Sequence, residues 1–388
     1  MTRRDTILTV LVGILGFAVA SVAQQTEPAP PARPFLLVEG WFDRNYVSDL
    51  YSFQMDGKLI KRLTSEPLPT NQLVAVAPGS GDPFFIANAS ALYGLSLRYN
   101  ILASIHSGNV RVPTVSPDGN TVAFVIGPDA PSGGAAATPN RVRAGDGAGR
   151  PLILRVMPYL ARSPWRPTQF ALPAGVAPSE MTFAPDGEHV LITSWPGGHT
   201  AQLLLVDLKS GATQTILADD SHSYYQPVFS PDGKSLLAIR EDFQAGRWSI
   251  LSLAWPAANA PAVILTSPRG VALSTPVFLA DGKRFLFQQG NALGRATLDG
   301  KTVDALVGDL NQKDDDEWSS ALIDRARPAR AGWMPRVVTR YFARIERREP
   351  ESSTASAVWD LVVIDLQTKQ RTTVPMPSGR ILAALVVE

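Results

Sequence analysis

Apolar and polar residues alternate in short runs along this chain, and the runs are broken by Gly, Pro, Asp and Ser. In 234–240, Leu236, Ala238 and Arg240 point to one side while Ser235, Leu237 and Ile239 point to the other. A period of two is that of a β-strand. Both faces are largely apolar, so the strand is expected in a sheet covered on both sides.

The same phrase recurs as PTVSPDGNTVAFVIG from Pro113, MTFAPDGEHVLITSW from Met181, PVFSPDGKSLLAIRE from Pro227 and PVFLADGKRFLFQQG from Pro276. Each is a short apolar strand, a tight turn and an alternating strand. In the turn, Pro presets φ at the first corner, Asp bonds the local backbone, and Gly takes the left-handed position that closes the hairpin. The turn aspartates stand at 118, 186, 232 and 281, at intervals of 68, 46 and 49 residues. The last two intervals match the roughly 40–50 residues of a four-stranded propeller blade. The long first one contains 128–150, a stretch without periodicity that reads as a flexible loop insertion. A second unit of strand, polar turn and strand repeats as QLLLVDLKSGATQTIL from Gln202 and WSILSLAWPAANAPAVIL from Trp248. It recurs near the ends as DLYSFQMDGKLIKRLT from Asp49 and WDLVVIDLQTKQRTTV from Trp359.

These phrases resemble the TolB-like β-propeller family, whose blades carry a Ser-Pro-Asp-Gly turn and an Arg-Leu-Thr ending, matched here by Lys61-Arg62-Leu63-Thr64. The expected fold is an all-β propeller of four-stranded antiparallel blades, seven in number with six as the alternative. The blades are expected near 35–67, 71–107, 113–172, 180–217, 226–266, 275–308 and 318–375. Residues 381–387 have no blade of their own and are expected to pair with 35–39 and close the ring, removing two aggregation-prone edges.

Composition adds compartment and exclusions. Arg3 and Arg4, the apolar run 7–19 and Ser21-Val22-Ala23 read as a signal peptide over 1–23, followed by a Pro-rich linker at 24–34 and a single propeller domain at 35–388. A periplasmic or secreted location is expected, with no stable membrane span after cleavage. The chain has no cysteine, which excludes disulfides and thiolate chemistry. Lys+Arg at 36 against Asp+Glu at 35 gives no global field for a nucleic acid. Neither a Gly-x-Ser-x-Gly elbow nor a phosphate-binding Gly loop occurs.

Hairpin topology places the Pro-Asp-Gly turns on one rim. Loops joining second to third strands, and blade to blade, fall on the other rim, which is the expected binding surface. Its richest loop holds Asp219, Asp220, His222, Tyr224 and Tyr225, with Trp195, His199, Arg240, Glu241 and Trp318 on the same rim. Aromatic rings beside carboxylates suit a sugar, a peptide or a basic side chain. His106, His199 and His222, all read into loops of that rim, are weak metal candidates: neutral imidazole is a common ligand, but no paired-histidine spacing is present. The acidic run 314–317 lacks the spacing of a calcium loop, and Arg336, Arg340 and Arg344 form a basic stripe on one strand face. The expected function is a monomeric, non-catalytic scaffold without cofactor that binds an envelope or extracellular protein, peptide or glycan. The resemblance implies the same, since TolB-like proteins serve in envelope assemblies. The alternative is a propeller enzyme, a metal- or carboxylate-assisted lyase or hydrolase acting on a carbohydrate or small molecule.

Overall fold

The computed structural model describes residues 34–42, 49–64, 72–76, 84–88, 91–96, 101–108, 110–127, 151–158, 167–198, 200–256, 260–290, 292–310, 337–348, 358–377 and 380–387. The signal segment, most of the linker, the insertion at 128–150, His199, Trp318, Arg336 and the acidic run lie outside them. Apart from one short 3-10 turn at Pro196–Gly198, the regular elements are strands, arranged in seven sheets.

The first sheet orders Arg380–Val387, Phe35–Trp41, Asp49–Phe53 and Leu59–Arg62. The second runs through Gln72–Val76, Phe84–Asn88, Ala91–Ser96 and Ile101–Ser107. The third holds Val110–Val115, Thr121–Ile126, Ile153–Pro158 and Thr168–Ala171. Pro178–Phe183, His189–Ser194, Gln202–Asp207 and Thr213–Leu217 make the fourth. His222–Phe229, Ser235–Asp242, Arg247–Ala254 and Ala262–Thr266 make the fifth. The sixth contains Leu273–Leu279, Arg284–Gln289, Ala292–Thr297 and Val303–Val307, with Val337–Val338 added parallel to its first strand. The seventh is Tyr341–Arg348, Val358–Asp365 and Arg371–Val374.

The fold is an all-β propeller of four-stranded antiparallel blades. Among the described residues the expectation of seven such blades is corrected to six. The last sheet has three strands among the described residues, and Val337–Val338, just ahead of it, pairs with the sixth sheet instead. The C-terminal strand pairs antiparallel with the first, from Phe35 opposite Val387 to Trp41 opposite Arg380.

First strands of neighbouring sheets pack on one another, while the fourth strand Leu59–Arg62 is exposed throughout. Each apolar cluster is shared by two sheets. Val125 and Leu154 of the third meet Val190 and Ile192 of the fourth, and Leu203 of the fourth meets Leu236 and Leu251 of the fifth. Leu237 and Ile250 of the fifth meet Phe278 and Phe285 of the sixth, and Leu36 and Val38 of the first meet Leu361 and Val363 of the seventh. Fully burying such a side chain contributes about 1.5–3 kcal/mol. The two apolar faces expected for the strand after Gly233 are explained: Leu236 and Ala238 pack toward the fourth sheet, Leu237 and Ile239 toward the sixth.

The repeated turns form by the expected mechanism. Gly119, Gly187, Gly233 and Gly282 have φ of 75°, 69°, 71° and 64°. Oδ1 of Asp118, Asp186, Asp232 and Asp281 accepts the backbone N–H two residues on, at 2.8–3.1 Å. In Lys61-Arg62-Leu63-Thr64, the Thr64 hydroxyl donates to Asp49 at 2.7 Å and accepts from the Leu50 N–H at 3.0 Å, while Arg62 pairs with the same buried Asp49.

Candidate binding site

The first strands of the third, fifth and sixth sheets each carry a β-bulge just before proline, and Val112, Gln226 and Thr275 at those bulges have φ of 40°, 52° and 53°. A bulge removes an N–H from the ladder, and that donor needs another acceptor. Here the preceding blade supplies it. The Gln226 N–H donates to Glu180 Oε2 at 2.8 Å, and the Thr275 N–H donates to Gln226 Oε1 at 2.7 Å. Glu180 occupies the same repeat position, one residue before Met181, so like positions of three successive blades are linked.

Beside this relay lies a group of aromatic and acidic residues around Tyr225: Trp195 and Glu180 come from the fourth sheet, Trp248 and Glu241 from the fifth, and Tyr225 and Trp248 also pack with the apolar cluster shared with the sixth sheet. Tyr225 precedes Gln226, and its ring stacks on Trp195 with centroids 6.3 Å apart and planes inclined by 26°. The Trp195 indole donates to Ser179 Oγ at 3.1 Å, and the Trp248 indole donates to the Tyr225 hydroxyl at 2.9 Å. Tyr225 in turn donates to Glu241 Oε2 at 3.4 Å. Glu180 Oε2 also accepts from the Thr193 hydroxyl at 3.2 Å. Trp195, Tyr225, Trp248, Glu180 and Glu241 all keep part of their surface accessible.

Burial pushes the Glu180 carboxyl above its ordinary range, opposed by the Gln226 and Thr193 hydrogen bonds. It pushes Glu241 up likewise, against the Tyr225 hydrogen bond. The Tyr225 phenol is held well above its usual value, first by burial and then by the charge of Glu241, with Glu180 adding to it. Burial thus acts on the phenol and on each of the two carboxyls whose charge it feels.

The loop expected to be richest divides. Tyr225 joins the group just described, but Asp219, His222 and Tyr224 satisfy one another. Asp219 Oδ1 accepts the N–H groups of Ser221 and His222 at 2.8 and 2.7 Å, and its carboxylate meets His222 Nδ1 at 2.9 Å and the Tyr224 hydroxyl at 2.6 Å. His222 Nε2 lies 3.6 Å from Asp242. Partial desolvation of Asp219 is outweighed by bonds from Tyr224, His222 and Ser221, which hold its carboxyl far below the ordinary range. The same brace recurs at a Pro-Asp-Gly turn, where His189 sits 2.8 Å from Asp186 and 3.7 Å from Asp207. Asp220 is exposed beside the brace. Arg240, paired with Tyr224 across the strands, donates to Ser249 Oγ at 3.5 Å and belongs to the face turned away from Glu241.

His106 is not in a rim loop, as expected, but on the fourth strand of the second sheet. Its ring lies 5.0 Å from Phe124, and Nδ1 is 3.3 Å from Arg155. Burial, then Arg155, lowers its pKa. His222 stands on the first strand of the fifth sheet, so these two histidines do not converge. No group of three His, Asp or Glu side chains able to hold a metal occurs among the described residues. The basic stripe is also corrected: Arg340 pairs with Asp365 at 2.7 Å and Arg344 with Glu346 at 3.3 Å.

Sequence reasoning missed Ser179, Glu180, Gln226 and Trp248. A signal existed for two of them: aligned on the repeats, Glu180 and Gln226 fall where Val112 and Thr275 stand.

No protein-family model matches the chain, and no curated protein is significantly similar to it in sequence. Solved structures are similar in fold. A Mycobacterium tuberculosis puromycin-hydrolyzing peptidase aligns with a TM-score of 0.57 and 12% identity, over 90% of this chain and 53% of that one. An oligogalacturonate lyase in complex with manganese aligns at 0.52 and 10%, over 86% and 87%. TolB from Acinetobacter baumannii aligns at 0.47 and 17%, over 69% of this chain, which spans 62% of that protein. The propeller is what the first two share with this chain. At these identities the likeness shows the fold alone. No helix among the described residues is long and apolar enough to cross a membrane.

Proposed function

We propose that this protein is an exported, non-catalytic propeller scaffold that binds a protein or peptide, or a glycan, on the rim opposite the Pro-Asp-Gly turns. The observation carrying this reading is the notch of Trp195, Tyr225 and Trp248 beside Glu241. It sets accessible aromatic surface next to polar groups at the junction of two blades, the composition of a recognition site. Export rests on the signal-like segment 1–23, and membership of the TolB-like group on the repeated turn and the Lys61-Arg62-Leu63-Thr64 ending. A single domain whose terminal strands close the ring is supported by the pairing of those strands and by the apolar cluster joining the last sheet to the first.

The test is capture of partners from an envelope extract by the full chain. Tyr225→Ala and Trp195→Ala should lose the partner that wild type and His222→Ala retain, with circular dichroism confirming that each variant folds. Identical capture by all four proteins would overturn the reading.

The enzyme alternative is kept alive by one observation, two carboxyls raised by burial around one phenol. That arrangement suits general acid–base work on a sugar or small molecule. Turnover of an oligosaccharide panel by wild type but not by Glu241→Gln would favour it over the scaffold.

A further inference from the structure

We propose that the junction of the second and third sheets binds an oxyanion, the carboxylate or phosphate group of a ligand, held by the Arg155 guanidinium together with the His106 imidazole. The site belongs to a different pair of blades from the residues around Tyr225 and stands independently of them.

The repeats show that the fold does not ask for this pair. Arg155 stands opposite Phe124, the sixth residue after the turn aspartate Asp118. Ile192, Ala238 and Phe287 hold that place after Asp186, Asp232 and Asp281, and opposite them stand Leu204, Leu251 and Gly294. His106 stands opposite Leu92 just before a β-bulge, where the fourth sheet sets Leu217 opposite Leu203. Leu217 and Leu251 are buried in one apolar cluster between the fourth and fifth sheets. Between the second and third sheets, the same two positions hold a histidine and an arginine, with Arg155 Nη1 3.3 Å from His106 Nδ1.

What the exchange costs points to the ligand. Arg155 Nε is buried without a hydrogen-bond partner, and Nη1 donates to an imidazole nitrogen that accepts only while the ring is neutral. Burial, then Arg155, lowers the His106 pKa, and no carboxylate contributes. Phe124 lies against the ring and Leu92 stands opposite it, so its other neighbours are apolar. Arginines of other sheets close on carboxylates instead: Arg62 on Asp49, Arg295 on Asp304 and Arg340 on Asp365. A partly desolvated guanidinium without a counter-ion is costly. An oxyanion supplies that charge and accepts from the guanidinium. With a proton taken up from solvent at Nδ1, the imidazolium donates to it as well. A second cation would be repelled, and an apolar group would leave the charge unmet. Both side chains keep part of their surface accessible, and Gln169, exposed and opposite Arg155, adds an amide to the same face.

Proton uptake gives the test its signature. Binding favours protonated His106, so the bound anion raises its pKa and affinity grows as pH falls from 8 to 6. The full chain, with 13C-labelled histidines, is titrated with acetate and with sulfate, which stands for a phosphate group at constant charge. Sodium chloride of equal ionic strength is the reference, and the His106→Gln spectrum assigns the His106 resonance. Acetate, sulfate or both should move the His106 titration to higher pH than chloride does, with saturable binding about fivefold tighter at pH 6 than at pH 8. A response to acetate alone assigns a carboxylate, and to sulfate alone a phosphate; either supports the proposal, as does a response to both. Arg155→Lys, which keeps the charge without the planar fork, should weaken binding about tenfold, and Arg155→Gln should abolish it. Circular dichroism confirms that each variant folds. A His106 response equal to that in chloride, an affinity independent of pH, or unchanged binding in both Arg155 variants overturns the proposal.

Discussion

Asp219 and Glu180 show at single residues how brace and notch differ. Asp219 has a depressed pKa in the fold, so its ionised form stabilises the protein above the unfolded value of about 3.9, and that contribution is lost as pH falls toward the lower folded value. Asp219→Asn should lower stability at pH 7 by about 1 kcal/mol, allowing for solvent screening of this exposed group. Urea melts at pH 7, 5 and 3 should show the gap between variant and wild type narrowing below pH 4. Glu180 has the opposite sign. Its raised folded pKa means that the fold favours the protonated form, so its stability contribution worsens as pH rises from below the unfolded value through the folded one. Glu180→Gln, which retains an acceptor for Gln226, should be as stable as wild type or more so at pH 7, with the difference shrinking on acidification. Thermal melts at pH 7 and 5 check this; a loss at pH 7 would show that the carboxylate serves the fold.

Between elements, successive Pro-Asp-Gly turns lie against one another. A Cβ on Gly233 would stand 2.8 Å from Pro185 Cβ of the preceding turn, whereas one on Gly187 would meet nothing within 4 Å. Both glycines are left-handed, so either substitution pays a backbone cost of about 1–2 kcal/mol, and Gly233 adds a steric one. Gly233→Ala should therefore lower the melting temperature more than Gly187→Ala; equal losses would mean that the turns do not touch. Strand bounds were readable because alternation and turn chemistry are local. His106 was misplaced because the fourth strand of its sheet runs on past it to Ser107.

For the molecule as a whole, the C-terminal strand is the joint between its ends. Leu385 and Val387 pack with Phe35, Leu37 and Leu95, while Ile381, Ala384 and Val386 pack with Leu361 and Val363. Leu385→Ala should cost about 2–5 kcal/mol in chemical denaturation, as for a core leucine. A cost under 1 kcal/mol would show that the terminal strand is peripheral.

By itself the sequence determined the repeat and the turn, because both follow from local patterning and hairpin geometry, and it named Trp195, Tyr225 and Glu241, which the fold brings near one another. The tertiary structure decided which polar residues satisfy one another inside the fold. Asp219, His222 and Tyr224 close on one another, whereas Glu180 and Trp248, from separate strands, meet Tyr225. That division depends on how two blades pack, a long-range matter that spacing along the chain does not encode. It moved the candidate site from the acidic loop to the junction beside it.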